Sequence, residues 1–134
     1  MRYNAARYPA EDWWPAGWDQ DQPLRRAINM SAVPLFRQLA ADIGPARMQA
    51  FLRDIDYGNA DIGGEADAFW LTGDLRISAV EQVGFLTRLV SGRLGLSTES
   101  VAAIRDALGR EVAPGVVLYT TTGSGRIEKD GVTG

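Results

Sequence analysis

The stretch Ser31-Ala32-Val33-Pro34-Leu35-Phe36-Arg37-Gln38-Leu39-Ala40-Ala41-Asp42-Ile43-Gly44-Pro45 decides the fold class. Val33, Phe36, Leu39, Ala40 and Ile43 recur at steps of three and four, which predicts one apolar side of a helix, and Gly44-Pro45 ends it. Helix signals extend in both directions. Upstream, Asp21 is a good N-cap type and Pro23 suits a first turn, so a short helix reaching Met30 is expected. Downstream, Met48, Phe51, Leu52 and Ile55 predict a third helix that stops before Tyr57-Gly58-Asn59. Ser78 and Glu81 form a capping box opening a helix with Val80, Val83, Leu86 and Val90 on one face. Ser97 or Thr98 opens a fifth, striped by Val101, Ile104 and Leu108 and ending at Gly109.

Only after Pro114-Gly115 does the period change. Val116 to Thr120 is a β-branched and aromatic run, followed by glycine-rich residues, Arg126 to Lys129, and an Asp130-Gly131 turn signal. The expectation is a hairpin with Val116 to Thr120 as its first strand and an incomplete second strand. The predicted fold is α+β and mainly α, a helical lobe with one C-terminal strand or hairpin. One domain covers 1–134, divided into an irregular lead-in (1–20), the helical lobe (21–109) and the strand with its truncated hairpin (115–134). The lead-in, with Trp13-Trp14-Pro15 at its centre, shows no period and needs a surface for its aromatics to cover. Residues 60–74 read as a loop pinned by the apolar cluster Phe69-Trp70-Leu71.

Composition narrows the functions available. The 134 residues carry a net charge of -3, with arginines scattered among acids, which argues against a nucleic-acid footprint or membrane attachment by charge. With no Cys and no His, thiolate chemistry, imidazole catalysis and the usual transition-metal ligand sets are excluded, so no metal and no cofactor are expected. The first 18 residues hold no continuous apolar run, so neither a signal peptide nor membrane insertion is expected of this chain.

Four short motifs remain, each with two readings. Ser31-Ala32-Val33 reads as a helix N-cap, or as a relay hydroxyl beside a dry wall. Tyr57-Gly58-Asn59 reads as a helix stop in which glycine supplies positive φ, or as part of a site. Phe69-Trp70-Leu71 reads as core, or as a pocket whose indole N–H faces an anionic group. Thr121-Thr122-Gly123-Ser124 reads as a polar strand edge, or as a binding strand whose amides pair with an extended substrate.

Order, spacing and local sequence join the four. Trp18 to Leu24, Ser31-Ala32-Val33-Pro34, Tyr57 to Gly63 and Ala68-Phe69-Trp70-Leu71-Thr72-Gly73 resemble class D serine β-lactamases and the related penicillin-sensing, transpeptidase-like domains, over roughly residues 18–134. The resemblance implies hydrolysis of β-lactams through a serine acyl-enzyme, with a Ser-x-x-Lys element whose lysine, carbamylated, is the general base. That element is not in this chain, whose single lysine, Lys129, follows Arg126-Ile127-Glu128.

By resemblance, Ser31 is the proton shuttle, Val33 a wall around the modified lysine and Trp70 the indole that steadies it. Tyr57, Gly58 and Asn59 form the third motif, and Thr121, Thr122, Gly123 and Ser124 lie on the substrate-binding strand. The family's strand motif begins with Lys where this chain has Thr121, which implies weakened β-lactam recognition, reversed by Thr121→Lys in a complete domain; Arg126 is a candidate cation nearby. The resemblance further implies a β-lactam as partner, a periplasmic or extracellular location, and inactivity of the chain alone. Two alternatives stand beside it, a fragment of a β-lactam sensor domain and a non-catalytic helical remnant. An uncovered lobe face is expected, with self-association as a consequence and Trp13, Trp14 and Trp18 left without cover.

Overall fold

Glycine and proline punctuation, with two serine caps, sets the element boundaries. The structure, a computed structural model, describes residues 1–121. Among these are α1 (Leu24–Asn29), α2 (Val33–Ile43), α3 (Pro45–Asp54), α4 (Ala79–Val90), α5 (Thr98–Leu108), β1 (Gly109–Ala113) and β2 (Val116–Tyr119). The fold is α+β and mainly α. All five helices fall where the sequence signals placed them, α1 by Pro23 and the other four by their apolar period.

Gly44, at φ 84°, ends α2 and is also the N-cap of α3, with Pro45 in its first turn. The capping box of α4 is complete, since Ser78 Oγ accepts from the Glu81 amide at 3.2 Å while the Glu81 carboxylate accepts from the Ser78 amide at 2.7 Å. These bonds to the ionised form hold the Glu81 pKa below its ordinary value. Ser97 caps α5 in the same way, accepting from the Ser100 amide at 3.1 Å. Ser78→Ala is expected to remove about 1 kcal/mol from α4. Hydrogen exchange reads it as faster exchange confined to Ala79–Val90.

Two caps differ from expectation. The N-cap of α1 is Pro23, and Asp21 instead accepts from the Tyr3 amide at 2.8 Å, tying the lead-in to the lobe. The N-cap of α2 is Ala32. Ser31 cannot cap it because it sits at φ 50°, in the left-handed turn that lets α2 follow α1 after three residues.

The hairpin also forms differently. Pro114-Gly115 is its turn, Gly115 taking φ 74°, and β1 precedes it, pairing antiparallel with β2 through Arg110 with Leu118 and Glu111 with Val117. The register shifts between Glu111 and Ala113, a bulge that disrupts the alternation by which β1 could have been read. The strand expected at Val116 is therefore the hairpin's second. The partner expected at Arg126 to Lys129 lies outside the described residues.

Two buried clusters hold the lobe. Trp18, Ala27, Ala32 and Leu35 join the lead-in to α1 and α2; Ala40, Leu52, Ile62 and Phe69 join α2 and α3 to the loop after them. Trp18 is thus covered, its indole donating to the Met30 carbonyl at 2.9 Å, whereas Trp13 remains 67% exposed. Within α2 the deepest residues are Pro34 and Leu35, outside the counted stripe, because α1 and the lead-in pack on that side. Leu39, inside the stripe, is exposed.

Candidate functional site

Val33, in the first turn of α2, and Leu71, at the end of the third apolar motif, line one open hollow of about 480 Å³. Pro34 and the aromatics Trp13, Trp14 and Trp18 complete its apolar side. The three indoles pack edge to face or tilted, with centroids 6.0–6.3 Å apart.

The polar side of this hollow is a charge cluster that sequence reasoning missed. Arg37 donates to Asp67 at 3.2 and 3.3 Å and to Glu65 at 3.3 Å, and the Tyr8 hydroxyl donates to Asp67 at 2.6 Å. Both Arg7 and Arg37 lie over the Tyr8 ring, at 5.7 and 5.3 Å. Burial alone would raise the Asp67 pKa; the Tyr8 hydroxyl and the Arg37 guanidinium outweigh it and hold the carboxyl below its ordinary value. Burial and Asp67 together raise the Tyr8 phenol. No local pattern announces this cluster, whose members come from three segments.

A pH dependence follows. A carboxyl whose folded pKa is depressed contributes stability in full above its unfolded value of 3.8 and loses it as pH falls through the folded value. Asp67→Asn is therefore expected to lower urea stability most near neutrality, with the difference from the parent shrinking below about pH 4. A difference independent of pH would contradict the ion-pair assignment.

Ser31 precedes α2 in the left-handed region at φ 50°. For a residue with a Cβ this conformation costs about 1–2 kcal/mol, which glycine would avoid. Trp70 is half-buried, stacked edge-on against Phe69 at 5.0 Å, and lines a second hollow of about 240 Å³ with Phe36, Leu39, Ala40 and Met48. Val33 and Trp70 thus line neighbouring hollows, and Leu71 is the residue of its motif that shares the hollow of Val33.

Tyr57-Gly58-Asn59 forms a clasp just beyond α3. The Tyr57 hydroxyl donates to Gln82 Oε1 at 3.1 Å and its ring packs edge-on against Phe85 at 4.8 Å, anchoring α4. Burial raises the phenol's pKa. Asn59 accepts from the Arg76 amide at 2.8 Å through Oδ1 and donates to the Asp74 carbonyl at 2.8 Å through Nδ2. Gly58 takes φ 53° against the Arg76 carbonyl.

Thr121, beyond β2, shares a hollow of about 450 Å³ with Arg25, Arg110 and Asn29, the last of which stands two residues before Ser31. Two arginines therefore stand near Thr121, and Arg25 is engaged with Asp106 at 2.9 Å and with the Gly109 carbonyl at 3.1 Å. Thr122, Gly123, Ser124 and Arg126 lie outside the described residues. Among the described residues no group of acidic side chains could hold a metal ion, and no helix is long and apolar enough to cross a membrane.

Residues 3–133 match the penicillin binding protein transpeptidase domain. The chain belongs to the penicillin-binding transpeptidase family. Its relatives there are class D β-lactamases. It is 46% identical over 106 residues to the β-lactamase OXA-10 of Pseudomonas aeruginosa, covering 79% of this chain and 40% of that protein. With OXA-48 of Klebsiella pneumoniae it shares 41% over 114 residues, 84% of this chain and 43% of that protein. The crystal structure of FUS-1 (OXA-85), a class D β-lactamase from Fusobacterium nucleatum subsp. polymorphum, superposes with a TM-score of 0.82 at 34% identity, covering 98% of this chain and 51% of that chain. The transpeptidase-family chain thus spans about 40% of the length of the curated relatives it matches.

Proposed function

We propose that this chain is the helical part of a class D-type site that recognises β-lactams and, in a complete domain, hydrolyses them through a serine acyl-enzyme. The observation that carries the reading is the joint match in sequence and backbone to class D β-lactamases, 46% identity over 106 residues and a TM-score of 0.82, across a chain holding all four motifs in order.

In this reading Val33 and Leu71 are apolar walls beside the place that a Ser-x-x-Lys element would take. Their shared hollow supports it. Walls of this kind keep water from a lysine that must lose a proton, and burial disfavours its charged form. Trp70 offers an indole donor next to that wall. Ser31 is the relay hydroxyl; its retention in a left-handed turn that glycine would fill without strain supports a need for the side chain. Tyr57, Gly58 and Asn59 act by shaping the lobe, as their contacts with α4 and Arg76 suggest. Thr121, Thr122, Gly123 and Ser124 are the residues that meet the substrate, by family resemblance, with the Ser124 amide serving an oxyanion. By family resemblance the location is periplasmic or extracellular.

The chain alone is inactive in this reading, because the nucleophile and its lysine lie outside it. The test is intact-mass measurement after incubation with a fluorescent penicillin. The expected result is an unchanged mass and no labelled band. A stoichiometric adduct would overturn the assignment of the nucleophile to another segment.

A further inference from the structure

The two hollows beside α2 are built by the same two segments. To the larger, α2 gives Val33 and Arg37, about one turn apart on one side of the helix, and the loop after α3 gives Asp67 and Leu71. To the smaller, α2 gives Phe36 and Ala40, and the same loop gives Phe69 and Trp70. Whatever sets the register of that loop on α2 therefore sets how far Leu71 and Trp70 stand from Val33.

The part of the loop that carries these residues is one closed unit. The Ala68 amide donates to the Glu65 carbonyl at 2.9 Å, and the Leu71 and Thr72 amides donate to the Ala68 carbonyl at 2.8 and 3.1 Å. Its neck is shut where the Asp74 amide donates to the Gly63 carbonyl at 3.1 Å, and Gly73 lies so close that a Cβ would stand 2.5 Å from the Phe69 Cα. Residues 65–72 therefore shift together. Phe69, clustered with Ala40 and Leu52, holds the unit against the lobe, but apolar contact has no preferred direction. Packing alone would let the unit slide along α2.

The direction comes from Arg37. Its Nε and Nη2 donate to the two oxygens of Asp67, at 3.3 and 3.2 Å, and Nη2 also reaches Glu65 at 3.3 Å, so one planar guanidinium grips two carboxylates at the start of the unit. The Tyr8 hydroxyl braces the pair from the lead-in, donating to Asp67 Oδ2 at 2.6 Å. The side chains of Arg37 and Asp67 are only 33 and 24% exposed, which shelters the pair from screening. We propose that Arg37 and Asp67 are positioning residues, whose two-point pair fixes the register of residues 65–72 on α2 and thereby the placement of Leu71 and Trp70 against Val33. The consequence for hydrolysis rests on the class D reading; the register itself does not.

In the 134-residue chain, Arg37→Lys keeps the charge and loses the planar fork, while Arg37→Gln loses both. Each is expected to speed amide exchange at Ala68, Leu71 and Thr72 by about tenfold or more, with the amides of α3 and α4 unchanged and helical circular dichroism retained. Unchanged exchange at those three amides, or exchange in Arg37→Lys as slow as in the parent, would overturn the proposal. The second readout uses a chimera in which residues 18–121 replace the stretch of OXA-48 that aligns with them. There Arg37→Lys should lower kcat for a chromogenic cephalosporin by about tenfold or more with KM within about twofold, because the displaced walls face the reacting groups and not the residues that bind substrate. A lower melting temperature at unchanged kcat would mark the pair as structural only and overturn the positioning role. A parent chimera that folds without hydrolysis would remove the class D reading, while the exchange result still decides the register.

Discussion

Gly58→Ala is expected to destabilise the lobe by about 2–4 kcal/mol, the sum of left-handed strain and overpacking. At φ 53° a Cβ on this residue would stand 2.1 Å from the Arg76 carbonyl oxygen and 2.9 Å from the Ile77 Cβ. Neither can step aside cheaply. The same Arg76 carbonyl accepts from the Asn59 amide at 2.9 Å, and the Asn59 side chain holds Arg76 and Asp74 on either side. The clasp would therefore open as a unit and release the start of α4 with it. Gly92→Ala is the control, since Gly92 has φ 70° but nothing within 4 Å of its Cβ position, so it pays strain of about 1 kcal/mol and no clash. Urea denaturation followed by circular dichroism reads both. Equal losses for the two would contradict the clasp.

Leu35→Ala is expected to remove about 3–5 kcal/mol. Leu35 is 1% exposed and packs among Trp18, Ala27 and Ala32, where three segments meet and none can move in without leaving another partner. Such a loss is a large share of the stability of a domain this size. Leu39→Ala, in the same helix but 41% exposed, should cost about 1 kcal/mol or less. The emission of the Trp18 cluster reports the first unfolding directly. If Leu35→Ala costs no more than Leu39→Ala, the lead-in does not pack on α2 as described.

The helices were legible because their causes are local. Apolar residues at steps of three and four, Gly44-Pro45, and Ser78 with Glu81 act within one or two turns, and each produced the expected boundary. Positions governed by distant partners were not. Asp21 reads as a cap until Tyr3 takes its carboxylate, and Ser31 reads as a cap until the tight passage from α1 to α2 forces it left-handed. The burial of Leu35 over Leu39 depends on a lead-in that has no period of its own.

The site divides the same way. The four motifs were visible by order and type, and the family they indicated is the one the chain belongs to. The Arg37–Asp67–Tyr8 cluster was invisible, since an arginine in a helix and an aspartate in a loop carry no sign that they face each other 30 residues apart. An uncovered face was expected from the sequence, but nothing there placed it on the stripe of α4, whose helical period is as regular as that of α2. A stripe states that a surface is apolar; only its neighbours state whether it is covered.

In the proposed function this lobe furnishes the relay hydroxyl and walls of a class D-type acyl-enzyme site. The most direct test replaces only the stretch of OXA-48 that aligns with residues 18–121 of this chain by those residues, and compares hydrolysis of a chromogenic cephalosporin by that chimera and by its Ser31→Gly variant. Glycine removes the hydroxyl while relieving the left-handed strain, so the variant should be at least as stable as its parent. The expected result is hydrolysis by the parent chimera and a loss of about a hundredfold or more in the variant at unchanged or higher melting temperature. A folded chimera without hydrolysis, or equal rates with and without the Ser31 hydroxyl, would contradict the claim.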